Sequence, residues 1–487
     1  MQINDSCKTG TMEFKPIYFA DKIKIINPFG RLGVVTLWSK LDYVENVFNE
    51  LKIPLDENSP IAVMGNLYGN GLPHLLRNLL YNPQIRDIVL CGSDLSGSAI
   101  ELINFFRLGI DTENSLGKSI TKIKGTQRIL DSLVTPDMFE EKPRFVQVGD
   151  LRNSESKEAL VNFIRMFQPI PCASNKRIKI DIPQPEILHK PSEPRAHTIV
   201  KDTPLKAWQE LIFRLINFGR LVHLRKGDRQ ELQNVKVVIR CPCEDDAKEL
   251  EKYNFTLDSL RKYQEDMLNP QTPIDQPYTY GNRIGKYYGF DALEKFAEKL
   301  NKNPQDRDCY LALWDSHLDI DAEDAPCLVS LFFRVFEDEL TLTATYRTHN
   351  ALDAWLKNIY GLMYAQKTVA EKTGFEVGAL TVISHSISID PARYDFAKLI
   401  ADSKGFSVDL DPNGYFNISI DGKDVIVKHF SPEGVLIKEY KSDKIERLQH
   451  EINRDGIISE IGHAIYIGRQ LQKAEYCIKN GEEFIQE

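Results

Sequence analysis

The chain has 487 residues, 42% hydrophobic and 27% charged, which is an ordinary globular profile and too long for one core, so two or three domains are expected. A net charge of −9 with dispersed lysine and arginine argues against a nucleic-acid-binding surface, leaving room for an anionic small molecule held by a few placed arginines. Nowhere is there a run of roughly 18 apolar residues, MQINDSCKTG lacks a signal core, and the eight cysteines show no disulfide spacing, so a reducing cytoplasm and no membrane are expected.

Residues 14–165 alternate strand-like runs (GVVTLW, IAVMGN, DIVLCG, RFVQVGD) with helical stretches such as LPHLLRNLLYN and AIELINFFRLG. That rhythm predicts an α/β domain with a mainly parallel sheet. Residues 166–204 carry seven prolines between Pro169 and Pro204. Proline fixes φ and removes a backbone donor, so an extended connector is expected. Residues 205–402 mix helices with long β runs in a central α+β domain. Residues 405–487 begin with an antiparallel meander, turning at Pro-Asn-Gly and Pro-Glu-Gly, and close with a helical tail, a small α+β module. Cys241-Pro-Cys243 is one residue too tight for a zinc knuckle and has no second pair, so no metal is expected.

The stretch DAPCLVSLFFRV places Pro326-Cys327 directly before an apolar run that reads as a buried strand. A lone cysteine there would ordinarily be a small core hydrophobe. Four further clusters surround it in the sequence: YTYGNR at 278–283, NPQDRDCYLALW at 303–314, TATYRTHN at 343–350 and AWLKNIY at 354–360. Taken singly, Arg347 reads as a surface charge, Asn358 as a helix-interior amide and Tyr280-Gly281 as a turn.

Together their separations resemble the thymidylate synthase family, and YRTHNALDAWLKNIY most resembles its short archaeal branch. That family has a phosphate-binding arginine twenty residues after a Pro-Cys nucleophile and a pyrimidine-reading asparagine eleven further on. Here those places fall on Arg347 and Asn358, and the arginine and tryptophan before the cysteine fall on Arg307 and Trp314. Tyr280-Gly281-Asn282-Arg283 loosely echoes another family motif.

The resemblance implies that Cys327 adds to C6 of a uracil ring, making C5 enolate-like, with Tyr280 also catalytic. Arg347, Thr348 and Arg307 would grip the 5′-phosphate, Arg307 from across a homodimer. Asn358 would read N3 and O4 of the base. Ser388 and Asp390 stand where the family has a sugar-reading histidine and tyrosine, so sugar recognition departs from the pattern. Asn350 replaces the usual aspartate, and Arg307-Asp308 replaces an arginine pair. Glu244 and Glu265 are the candidates for the catalytic glutamate, and Arg225 or Arg229 for a mobile-loop phosphate ligand.

The first domain resembles the corrinoid-carrying component of tetrahydromethanopterin S-methyltransferase through GVVTLWSK and GNGLPHLLRNLLYNPQIRDIVLCGSDLSGS. Ser98 stands where that component has its cobalt-ligating histidine, and His74 reads as a capping or pocket residue, so no cobalamin is expected. Asn66, Asn70 and Asp94 would line the strand ends where such sheets bind ligands. DPNGYF and GHAIYIGRQLQKAE in the last module resemble a small pterin-binding accessory domain, with a lid or dimerisation arm as the alternative. The expected activity is transfer of a one-carbon unit from a methylene tetrahydropterin, of folate or methanopterin type, to a uracil nucleotide, dUMP above all. A hydroxymethyl product and a non-catalytic pterin- or nucleotide-binding protein are the alternatives.

Overall fold

The computed structural model describes residues 12–169, 176–224, 227–273, 276–322, 324–405 and 410–487. They form two compact units, 1–404 and 405–487. No helix among the described residues is long and apolar enough to cross a membrane.

The first sheet contains β1 (Lys24–Ile25), β2 (Leu32–Val35), β3 (Ile61–Gly65), β4 (Asp87–Cys91) and β8 (Arg144–Gly149) in the order β1-β3-β2-β4-β8. All neighbours run parallel except the β1–β3 edge. The central strands β2 and β4 are buried along their whole length, as a sheet covered on both faces requires. Helices α1 (Leu41–Glu50) and α4 (Ser154–Met166) supply Phe48 and Leu160 to a core on one face; α2 (Leu72–Tyr81) and α3 (Ser98–Arg107) supply Leu76 and Phe105 to a core on the other. The alternating pattern did not announce β5 (Ile110–Ser115), β6 (Lys118–Ile123) and β7 (Ile129–Leu130), an antiparallel ribbon after α3. Its polar first strand, IDTENS, is largely exposed and carries little hydrophobic signal.

The connector is anchored rather than loose. Arg177 donates to the Tyr81 carbonyl and Asn82 Oδ1, both at 2.8 Å, and the Ile182 amide donates to Tyr18 Oη at 3.0 Å. Its end differs from the expectation: β9 (Thr198–Lys201) pairs in parallel with β11 (Gly227–Ile239). A short strand with prolines on both sides sits at a sheet edge, where missing donors do no harm.

The second sheet follows the order β10-β11-β15-β14-β13-β12, with β10 (Arg220–Leu224), β12 (Tyr310–Ala312), β13 (Leu328–Phe336), β14 (Glu339–Asn350) and β15 (Glu376–Ile389). Its path is antiparallel except between β14 and β15. Two parallel neighbours need a crossover, and α10 (Trp355–Thr373) provides it through the core. Helix α5 (Pro204–Phe218) starts with Thr203 as N-cap and Pro204 at its first turn, and its buried Trp208 donates from Nε1 to the Ala351 carbonyl at 2.8 Å. That bond ties α5 to the turn from β14 into α10. Around this core lie α6 (Ala247–Glu251), α7 (Leu257–Leu268), α8 (Tyr280–Gly285), α9 (Ala292–Lys302) and α11 (Tyr394–Asp402).

The second unit is a meander of β16 (Tyr415–Asp421), β17 (Asp424–Phe430) and β18 (Leu436–Ser442) packed on α12 (Ile445–Asp455) and α13 (Ile461–Asn480).

Tyr280-Gly281, which could pass as a turn, lies in α8. A Cβ at Gly281 would stand 2.1 Å from the Asn269 carbonyl oxygen, so only glycine lets this helix close on the end of α7. Gly281→Ala is expected to lower stability by about 1–3 kcal/mol, the usual size of an overpacking strain. Urea unfolding at constant slope measures it; an unchanged midpoint would show that the two segments separate freely.

Candidate active site

Cys327 precedes β13 and extends its ladder, because the Arg347 amide on β14 donates to the Cys327 carbonyl at 2.9 Å. The half-buried Sγ lies 3.2 Å from Thr348 Oγ1. The Arg347 guanidinium turns back on the loop before the cysteine: Nε donates to the Pro326 carbonyl at 2.9 Å and Nη2 to the Ala325 carbonyl at 2.7 Å. Tyr278 Oη donates to the same Ala325 carbonyl at 3.2 Å, and the guanidinium lies 5.6 Å from the Trp314 ring centroid. Lys40, at the start of α1, pairs with Asp324 at 3.2 Å, so the first sheet's loops reach this thiol-bearing loop.

Behind it runs a buried polar chain. Tyr263 Oη, on α7, donates to Asn358 Oδ1 at 2.5 Å; Asn358 Nδ2, on α10, lies 2.9 Å from His349 Nε2; His349 Nδ1 lies 3.1 Å from Ser384 Oγ. An amide nitrogen can only donate, so Nε2 accepts and Nδ1 carries the imidazole proton toward Ser384. Complete burial lowers the His349 pKa to about 3, so the ring is neutral. Tyr346 stacks on it, with centroids 4.0 Å apart.

Four phenols gather near the thiol. Burial first, then the neighbouring Asp266 and Cys327, pushes Tyr263 up to about 12. Burial, then Cys327, raises Tyr278 and Tyr280, and burial, then Tyr280, raises Tyr346. All four are neutral in a poorly hydrated nest; Tyr263 and Tyr278 donate hydrogen bonds, while the buried Tyr346 hydroxyl has no hydrogen-bond partner among the described residues. Sequence reasoning picked out Tyr280 but not Tyr263, Tyr278, Tyr346 or His349. The signal available was the tyrosine density of YTYGNR and the His-Asn pair after Thr348.

The remaining candidates fall elsewhere. Arg307 is exposed in the loop before β12. Asn350 uses Oδ1 to accept from the Leu352 and Asp353 amides, both at 3.1 Å, which shapes the turn into α10. Ser388 pairs with Asn350 across β15, and its carbonyl accepts from Ala351. Asp390 faces the first domain: Asn70 Nδ2 donates to it at 3.2 Å and Arg229 lies 3.5 Å away. Arg225 lies outside the described residues. Glu244 is exposed and bound twice by Arg261, and Glu265 is exposed on α7. In the first domain Asp94 caps α3 through the Ser98 and Ala99 amides, and Asn66 Nδ2 serves Thr36, Leu37 and Ser39. Ser98 Oγ meets Ser96 Oγ at 2.7 Å. His74 Nδ1 donates to the Asn70 carbonyl at 3.2 Å. Cys241 and Cys243 are free and exposed, and no group of three or more metal-ligating side chains occurs among the described residues.

In the second unit the two quoted motifs meet. Asp411 of DPNGYF accepts from Ser459 Oγ at 2.6 Å, from the Ser459 and Glu460 amides, and from His463 Nδ1 at 3.0 Å. Burial would raise its pKa, but these hydrogen bonds outweigh it and hold the carboxyl far below its ordinary range.

Residues 410–487 match the family model described as PterinBD-DUF4346. The chain is also similar to curated proteins named "Putative thymidylate synthase". That of Methanothermobacter marburgensis is 30% identical, over 42% of this chain and 97% of the relative. Those of Methanothermobacter thermautotrophicus (30%; 40% and 92%) and Methanococcoides burtonii (29%; 39% and 87%) are similar over comparable spans. The chain belongs to the thymidylate synthase family. Of the thymidylate synthase positions carried over from the sequence, Cys327, Arg347 and Thr348 are in contact, and Asn358 and Tyr280 stand close behind.

The neutral His349 links folding to pH. Its folded pKa lies below its ordinary 6.5, so the unfolded chain takes the proton first. The stability it contributes is complete above pH 6.5 and is lost as pH falls toward 3. Between pH 8 and pH 5 the loss should exceed that of His349→Gln by about 2 kcal/mol. Equal losses in paired urea titrations would place the His349 proton elsewhere.

Proposed function

We propose that the chain transfers a one-carbon unit from a methylene tetrahydropterin to C5 of a uracil nucleotide, converting dUMP to dTMP. The observation that carries this reading is the Cys327 thiol held beside Thr348 and Arg347 on a clamped loop. Cys327 Sγ adds to C6 of the ring, and C5 becomes nucleophilic and attacks the methylene carbon. Loss of the C5 proton expels the pterin amine to leave an exocyclic methylene, and hydride addition to that methylene expels the thiol from C6. The methylene pterin, a substrate in this scheme, supplies the carbon and the hydride that completes a methyl group.

Arg347 uses two of its five N–H groups on the Ala325 and Pro326 carbonyls, leaving donors for the 5′-phosphate beside the Thr348 hydroxyl. Arg307, exposed in the loop before β12, would complete a phosphate site across a homodimer. Asn358, locked by Tyr263 and His349, turns its remaining donor and acceptor to N3 and O4 of uracil, and Tyr280 closes the nest as a neutral donor. The family model at 410–487 supports a pterin as the donor, of folate or methanopterin type. The first domain, whose sequence resembles a methyltransferase component, would work beside this site in the cytoplasm.

Cys327→Ser is expected to abolish the covalent adduct with 5-fluoro-dUMP and methylene tetrahydrofolate in intact-mass spectra, with dUMP binding retained. Normal turnover by the serine variant would eliminate the thiol mechanism.

Asn358→Asp is expected to move kcat/KM from dUMP toward dCMP, because a carboxylic acid suits the N3 acceptor and N4 donor of cytosine. The shift should correspond to about 1–3 kcal/mol. If wild type turns over both nucleotides equally, another group reads the ring.

A further inference from the structure

Between the first sheet and the second lies a cavity of about 580 Å³, within the range of small-molecule sites. It opens at the C-terminal ends of β2 and β3, the edge where parallel sheets bind ligands. The connector, through Ile182–Gln184, and the second sheet, through 227–229 and 390–392, close it. Register places it apart from the thiol. Arg347 stands beside His385 on β15, Asp390 is five residues further along, and Cys327 is two strands over. Strand spacings make that on the order of 15–20 Å.

The lining is apolar along Phe14, Phe19, Val63 and Leu75, and polar at Asn70 and Asp390. Its charged residues cancel: Lys22 and Arg229 against Asp228 and Asp390. Lys22 lies over the Phe19 ring and Arg229 is paired with Asp390, so the lining offers no cluster of cations to a phosphate. What remains are acceptors. Asp390 accepts from the Ala392 amide and Asn70 and is ion-paired with Arg229, but a carboxylate has about four acceptor positions. His74 donates through Nδ1 to the Asn70 carbonyl, so Nε2 is an acceptor; burial, the largest influence, keeps this ring neutral by lowering its pKa. Phe19 lies 4.4 Å from the His74 ring, an aromatic wall.

We propose that this cavity is a second ligand site, for a neutral planar heterocycle of the 2-amino-4-oxopteridine kind, distinct from the nucleotide site at Cys327. Such a ring carries adjacent N–H donors, on its amino group and N3, that match a carboxylate. Its faces suit an aromatic and aliphatic slot, and its lack of charge suits a lining of zero net charge. The inference rests on the pterin part of the proposed function only for the choice of probe.

The test is anaerobic calorimetric titration of the full chain with tetrahydrofolate, and separately with dUMP, on wild type, Leu75→Trp and Asn70→Ala. Leu75→Trp fills the slot. Asn70→Ala removes a partner that orients Asp390, with less risk to folding, and near-ultraviolet dichroism checks both variants. The expected result is loss of one tetrahydrofolate equivalent, or at least tenfold weaker binding, in both folded variants with dUMP affinity unchanged. Any equivalent held by the 405–487 unit persists through both variants. Unchanged tetrahydrofolate binding in a folded variant overturns the proposal, as does weakening of dUMP alone, which would assign the cavity to the nucleotide. Absence of a Cys327 adduct, with the tetrahydrofolate losses still seen, would remove the proposed reaction and leave this site standing.

Discussion

The candidate site depends on one guanidinium gripping two carbonyls. Arg347 bonds the backbone of Ala325 and Pro326, the residues that deliver Cys327 to β13. Pro326 has no N–H to offer a ladder, so this loop must be held through its carbonyls. A charged donor in a planar fork reaches two of them at once, and each charge-assisted bond contributes about 1.5–3 kcal/mol. A lysine ammonium, a point donor, would not hold the same geometry. The clamp also fixes positive charge next to the thiol loop, so the element that shapes the site is the one available to an anionic substrate.

Behind the clamp the requirement is neutrality. Tyr263, Asn358, His349 and Ser384 come from α7, α10, β14 and β15, and each bond between them aligns the next. In a poorly hydrated interior an unpaired polar group is costly, which makes a satisfied chain rigid. The rigidity fixes the Asn358 amide, which is held at its oxygen by Tyr263 and at its nitrogen by His349.

The two sheets of the larger unit meet through their loops rather than their faces. Lys40 reaches Asp324 on one side and Asn70 reaches Asp390 on the other. The exposed Lys40–Asp324 pair contributes little stability, but it records how near the strand-end loops of the first sheet come to the thiol. The connector, bound to α2 at one end and paired with β11 at the other, spans the two cores.

Much of this was legible in the residues themselves. Hydrophobic alternation announced the parallel sheet, proline density the extended connector, and Pro-Glu-Gly the turn between β17 and β18. Pro-Asn-Gly falls before β16, and the first hairpin turns at Gly422-Lys423 instead. Spacing around Cys327 marked Arg347, Thr348 and Asn358 because β13, β14 and α10 follow one another with short connections, so sequence distance stands in for spatial distance. Pairing across long intervals was not legible. Asn350, at the family's aspartate position, shapes the turn into α10, and Asp390, where the family has a sugar-reading tyrosine, accepts from Asn70, 320 residues away. The tyrosine nest and the neutral His349 come from three separate stretches whose convergence only the packing of α7, α8 and α10 on the sheet decides. Local periodicity is set by backbone geometry and is written residue by residue. The partner of a buried polar group is set by which elements share a core, and only the tertiary structure holds that information.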